Sequence, residues 1–95
     1  AGSGALVRQM TVAALIVHGA TDTEVLPKEG QSSRDYWSKV NGCRAGGLEV
    51  FDPAPCINQL NCATDRPVVY CEIPDMGHTI WSEAPRAAWK LFDQL

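Results

Sequence analysis

The run Thr11-Val12-Ala13-Ala14-Leu15-Ile16-Val17, stopping at His18-Gly19, limits the possible folds more than any other feature of this 95-residue chain. Its residues are apolar without alternation, the pattern of an element buried on both faces, as in the parallel strands of an α/β sheet. Periodicity alone leaves a buried helical turn open, but the β-branched content and the His18-Gly19 stop favour a strand. A strand of this kind has bare edges and an uncovered face unless something else covers it.

The remaining segments supply partners. Val68-Val69-Tyr70-Cys71-Glu72-Ile73, closed by Pro74, reads as a second strand, and Leu48 to Phe51 as a short one before Pro53 and Pro55. Gly19 to Gly30 reads as a loop punctuated by Pro27 and Gly30. Ser32 to Val40 reads as a helix, with Ser33, Tyr36, Trp37 and Val40 on one core-facing side and Asn41-Gly42 as its stop. A last helix opens at Ser82 or Glu83, with Pro85 in its first turn, and Ala88, Trp89, Phe92 and Leu95 recur on the side expected to pack on the sheet. Residues 1–10 read as a flexible lead-in and Asn58 to Arg66 as a polar loop held by its cysteines. The order strand–loop–helix–strand–loop–helix gives an α/β class, the tail of a sandwich whose sheet is incomplete on its own.

Composition narrows the function. Net charge is −3 with a pI near 5.2, and the basic residues are scattered, so no surface is expected to neutralise a run of phosphates. The longest apolar stretch is too short to span a bilayer, and no charged-then-apolar leader opens the chain. Nucleic acid and membrane are therefore not expected partners. Four cysteines, Cys43, Cys56, Cys62 and Cys71, include no C-x-x-C pair and lie at no zinc-site spacing from either histidine. No metal is expected; paired disulfides and an extracellular, secreted location are. Three connectivities are open. The preferred one joins Cys56 to Cys62 across a small polar loop and Cys43 to Cys71 between a helix end and a strand.

Two polar side chains follow strand ends, where open α/β sheets bind ligands. Asp22 comes after the first strand, in His18-Gly19-Ala20-Thr21-Asp22, and His78 after the second, in Asp75-Met76-Gly77-His78. An imidazole can take the proton of a serine hydroxyl, and a carboxylate on its Nδ1–H fixes the tautomer and stabilises the imidazolium. The chain order acid, then histidine, is that of an α/β-hydrolase, whose serine sits in an earlier G-x-S-x-G turn. No serine here (Ser3, Ser32, Ser33, Ser38, Ser82) has that setting. The expectation is a C-terminal segment that supplies Asp22 and His78 to a nucleophile located elsewhere. His18 reads as a structural strand-end residue, Asp75 as a turn residue, and Glu24 and Glu72 as solvated. Trp81 either lines an aromatic acyl pocket or packs beneath the loop.

His18 to Asp22 with Val25 and Pro27, Ser33-Arg34-Asp35-Tyr36-Trp37, Asn41-Gly42-Cys43, the Cys56–Cys62 interval, and Val68 to Glu72 before Gly77-His78 together resemble the secreted feruloyl esterase and polyhydroxybutyrate depolymerase group of α/β-hydrolases. The likeness runs from about Ala14 to Leu95; Met76 stands where many members carry glycine. It implies Asp22 as triad acid, His78 as triad base, no cofactor, and a hydroxycinnamoyl ester of plant cell-wall polysaccharide as substrate. The required partner is an N-terminal part of the same domain carrying the serine and the oxyanion hole. The alternatives are a polyester depolymerase, or a non-catalytic disulfide-stapled interaction module.

Overall fold

The computed structural model describes residues 13–44, 48–63 and 66–95. The apolar run forms strand β1 (Ala14–Gly19), followed by helix α1 (Pro27–Val40), strands β2 (Leu48–Val50), β3 (Ile57–Gln59) and β4 (Val68–Ile73), and helix α2 (Ala84–Asp93). Thr11, Val12 and the expected lead-in at 1–10 lie outside the described residues, as do Thr64 and Asp65 of the expected 58–66 loop. The strands make one mixed sheet in the order β1-β4-β3-β2. β1 and β4 run parallel, while β3 is antiparallel to both β4 and β2. The chain is thus a small mixed α/β domain.

Alternation along the strands sends two different surfaces to the two helices. Val69, Cys71 and Ile73 of β4 join Cys56 and the α2 residues Ala87 and Leu91 in the apolar core, with Leu15 and Val17 of β1 packed against it. The opposite parity, His18 on β1 with Tyr70 and Glu72 on β4, meets α1 instead. There Gln31 Nε2 donates to Glu72 Oε1 at 3.0 Å, and the Arg34 guanidinium lies 5.1 Å from the centre of the Tyr70 ring.

This second surface corrects the expected helix face. Because the sheet beneath α1 is polar, α1 turns Gly30, Gln31 and Arg34 inward and leaves Tyr36 and Val40 exposed. The helix also begins five residues earlier than its pattern suggested. Pro27 occupies the first helical turn, where its missing N–H costs nothing, rather than punctuating a loop. Its end follows the sequence: Gly42 has φ +72°, its N–H donates to Lys39 O at 3.2 Å, and the Cys43 N–H donates to Ser38 O at 2.8 Å. That is a Schellman stop. On α2 the buried pair is Ala87 and Leu91, whereas Trp89, Phe92 and Leu95 of the expected face point to solvent.

The disulfides are Cys43–Cys62 and Cys56–Cys71, which corrects both expected pairings, Cys43–Cys71 and Cys56–Cys62. The reason is β3, which lies at the start of a segment that reads as a loop. With Ile57 opposite Tyr70 in an antiparallel register, Cys56 falls opposite Cys71. Cys62 is brought to the end of α1 by the Ala63 N–H, which donates to Asn41 O at 2.8 Å.

Candidate active site

Parallel pairing of β1 with β4 sets Gly19 level with Ile73, so the loops that follow leave the sheet at the same end. They are then stitched together: the Ala20 N–H donates to Ile73 O at 2.9 Å and the Thr21 N–H to Met76 O at 3.0 Å. Gly19 is required for this approach. A Cβ there would lie 2.2 Å from Met76 O and 2.4 Å from Gly77 O, both rigid backbone atoms. Asp75, read from sequence as a turn residue, takes φ +58°, a conformation that aspartate tolerates better than most side chains.

The structure brings Asp22 and His78 together across 56 positions of sequence, with His78 Nδ1 3.0 Å from Asp22 Oδ2. An ionised carboxylate only accepts, so this contact places the proton on Nδ1 and leaves Nε2 as the basic nitrogen. The other carboxylate oxygen, Oδ1, accepts the backbone N–H groups of Glu24 and Val25, each at 2.9 Å. The Asp22 side chain is 6% exposed and that of His78 is 53% exposed, so the carboxylate is enclosed and the imidazole faces outward.

Charge distribution follows from those contacts. The Val25 amide, above all, holds the Asp22 carboxyl below the usual carboxylate range; burial opposes it, and His78 and the Glu24 amide assist. The hydrogen bond to Asp22 raises the His78 imidazole above its ordinary value, helped by the charges of Asp22 and Glu24. The pair is therefore biased toward carboxylate and imidazolium, the state a histidine base reaches after taking a proton.

His18 lies closer to the site than its reading as a structural strand-end residue implied. Its Nε2 is 2.7 Å from Val25 O and 3.6 Å from Asp22 Oδ2. Glu72, expected to be solvated, is half-buried and accepts hydrogen bonds from Tyr70 Oη at 2.6 Å and from Gln31 Nε2. The Tyr70 bond is the main influence lowering its carboxyl, while burial pushes the Tyr70 hydroxyl strongly up. Trp81 is half-buried against the apolar core, close to the loop that carries His78. The residue sequence reasoning missed is Ile80, two positions after His78 and 90% exposed. An isoleucine between Thr79 and Trp81 in the loop that carries His78 was the available signal. Val25 and Leu26, beside Asp22 in sequence, are exposed as well.

Among the described residues no serine hydroxyl is hydrogen-bonded to His78, and no group of three or more His, Cys, Asp or Glu side chains is arranged to hold a metal ion. No described helix is long and apolar enough to cross a membrane. Compared with known proteins, the chain matches no family model, no curated protein and no solved structure.

Proposed function

We propose that this domain supplies the acid and the base of a serine carboxylic-ester hydrolase. The observation that carries the reading is the Asp22–His78 pair: a buried carboxylate with one oxygen held by two backbone amides and the other on the Nδ1 of a half-exposed imidazole. In the proposed reaction the His78 Nε2 takes the proton of a serine hydroxyl as that oxygen attacks the ester carbonyl. The resulting imidazolium then protonates the leaving alcohol. Water activated by the same nitrogen releases the acid and restores the serine. Asp22 keeps the imidazole in one tautomer and stabilises its charged form throughout. No cofactor or metal enters this scheme.

The serine is proposed to come from a further segment that adds to the sheet along β1. That strand pairs only with β4 among the described residues and carries apolar side chains toward both faces. The two disulfides fit an oxidising, extracellular setting. The resemblance of the motifs to feruloyl esterases supplies the proposed substrate class, a hydroxycinnamoyl ester of cell-wall polysaccharide. Exposed Val25, Leu26 and Ile80, close to Asp22 or His78 in sequence, are compatible with an apolar acyl group.

The test is hydrolysis of methyl ferulate by this domain alone and together with a G-x-S-x-G segment of the same polypeptide. Turnover is expected only in the second case, with H78A removing it. Equal turnover by the domain alone would refute a nucleophile from elsewhere, and undiminished activity of H78A would refute the base.

A further inference from the structure

We infer that His18 is a positioning residue for the Asp22–His78 pair, clamping the turn at 22–25 so that one defined oxygen of Asp22 faces His78. This rests on the reading of Asp22 and His78 as a working acid–base pair and adds the group that holds its geometry. The Val25 carbonyl can only accept, so the 2.7 Å contact requires the proton on His18 Nε2. The N–H of the same residue donates to Asp22 Oδ1 at 2.9 Å. Val25 is thereby fastened at both ends, its amide to the acid and its carbonyl to His18. Together with the Glu24 amide this occupies Oδ1 and presents Oδ2 to His78. His18 Nε2 lies 3.6 Å from Oδ2, too far for a hydrogen bond that would compete with His78.

The imidazole has little room to do otherwise. Its side chain is 10% exposed, and α1 crosses it at a glycine. A Cβ on Gly30 would sit 2.9 Å from His18 Nδ1 and 3.0 Å from its Cβ and Cγ. Across the strand pair His18 is level with Glu72, whose carboxylate is already engaged by Tyr70 and Gln31. Charged or titratable groups near the ring include Asp22 on its own loop, with His78 on the same Oδ2, Glu72 from β4, and Arg34 of α1 over the neighbouring Tyr70. The glycine fixes where the ring sits, and a histidine that merely filled that space would need no donor aimed at the carbonyl of Val25.

The chain contains two histidines, so NMR titration reports each one cleanly, and the Asp22 carboxyl can be followed in the same samples. In the wild-type protein, neutral His18 is expected as the Nε2–H tautomer; a bare Nε2 overturns the proposal regardless of any variant. H18Q, whose amide can donate from nearly the same point, is expected to keep Asp22 low and His78 high. H18M, of similar length without a donor, is expected to return Asp22 most of the way to the ordinary carboxylate range and to lower His78 with it. Unchanged titrations in a folded H18M overturn the clamp. Should H18M not fold, H18Q decides alone: a folded H18Q with Asp22 back in the ordinary range overturns it equally. D22N separates the two levels, since a His78 titration indifferent to D22N indicts the acid–base pair rather than the clamp.

Discussion

At the scale of residues, the chemistry depends on which protonation state each partner prefers, and this gives opposite pH demands to stability and to catalysis. Because the folded His78 is raised above its ordinary 6.5, its stabilising contribution is complete below 6.5 and is lost as pH rises through the raised value. Asp22 is lowered from 3.8, so its contribution is present above 3.8 and is lost as pH falls through the lowered value. The pair therefore supports the fold best between those two ordinary values. Under the proposed function His78 must be neutral to act as general base, so kcat/KM of the proposed assembly is expected to climb on a limb centred above 6.5. D22N should move that limb to lower pH and reduce kcat by a factor on the order of 10⁴, as expected when the orienting carboxylate is lost. A pH–rate profile of both forms, set beside melting temperature against pH, checks the prediction; a limb unmoved by D22N contradicts it. Gly19 provides a second, steric test. G19A must push Met76 O and Gly77 O away from contacts of 2.2 and 2.4 Å, which should cost about 1–3 kcal/mol in denaturant unfolding and lower the His78 titration toward ordinary. Asp22 and His78 were legible in sequence because each follows an apolar strand and a glycine. The roles of Gly19, Gly30 and His18 were not, since close approach between distant loops leaves no mark on local periodicity.

At the scale of elements, two predictions run against the simplest rule. Replacing a helical glycine by alanine ordinarily stabilises by about 1 kcal/mol. G30A in α1 should instead destabilise, because the new methyl meets the root of the His18 ring rather than a movable tip. Thermal unfolding decides the sign, and a raised melting temperature would show that His18 has more room than its contacts indicate. For the disulfides, loop closure assigns about 3 kcal/mol to each, with the 19-residue separation of Cys43–Cys62 slightly ahead of the 15 residues of Cys56–Cys71. The measured order should be reversed. Cys56 and Cys71 are fully buried in the core, so C56A/C71A also removes packed sulfurs, whereas Cys43 and Cys62 are half-buried. Paired urea titrations of C56A/C71A and C43A/C62A check this. The same elements mark the limit of sequence reading. β4 was legible because its largely apolar, β-branched run is closed by Pro74, and the α1 stop because Asn41-Gly42 has local chemistry. β3 was not, because Ile57-Asn58-Gln59 is polar and short and becomes a strand only by pairing with β4, and the disulfide pairing followed that miss.

At the scale of the whole molecule, the exposed apolar surface is distributed in a way that packing alone does not explain. Trp89 and Phe92 of α2 are 69% and 62% exposed, with Leu95 just beyond them, and β1 offers an unpaired edge among the described residues. A protein seldom leaves both an apolar strand edge and an aromatic helix stripe uncovered, since each invites association. Under the proposed function one occupant serves both: the segment that brings the serine continues the sheet past β1 and lies within reach of the α2 stripe. If so, those amides of β1 that do not bond to β4 should exchange rapidly in the isolated domain and become protected in the assembled protein. Trp89 emission should shift to shorter wavelength at the same time, with W89F removing the shift. Protection of β1 without any change at Trp89 would confine the added segment to the strand edge and leave the helix stripe for something else. Rapid β1 exchange persisting in a catalytically active assembly would contradict strand addition itself, and would require the hydroxyl to reach His78 from a direction other than the sheet.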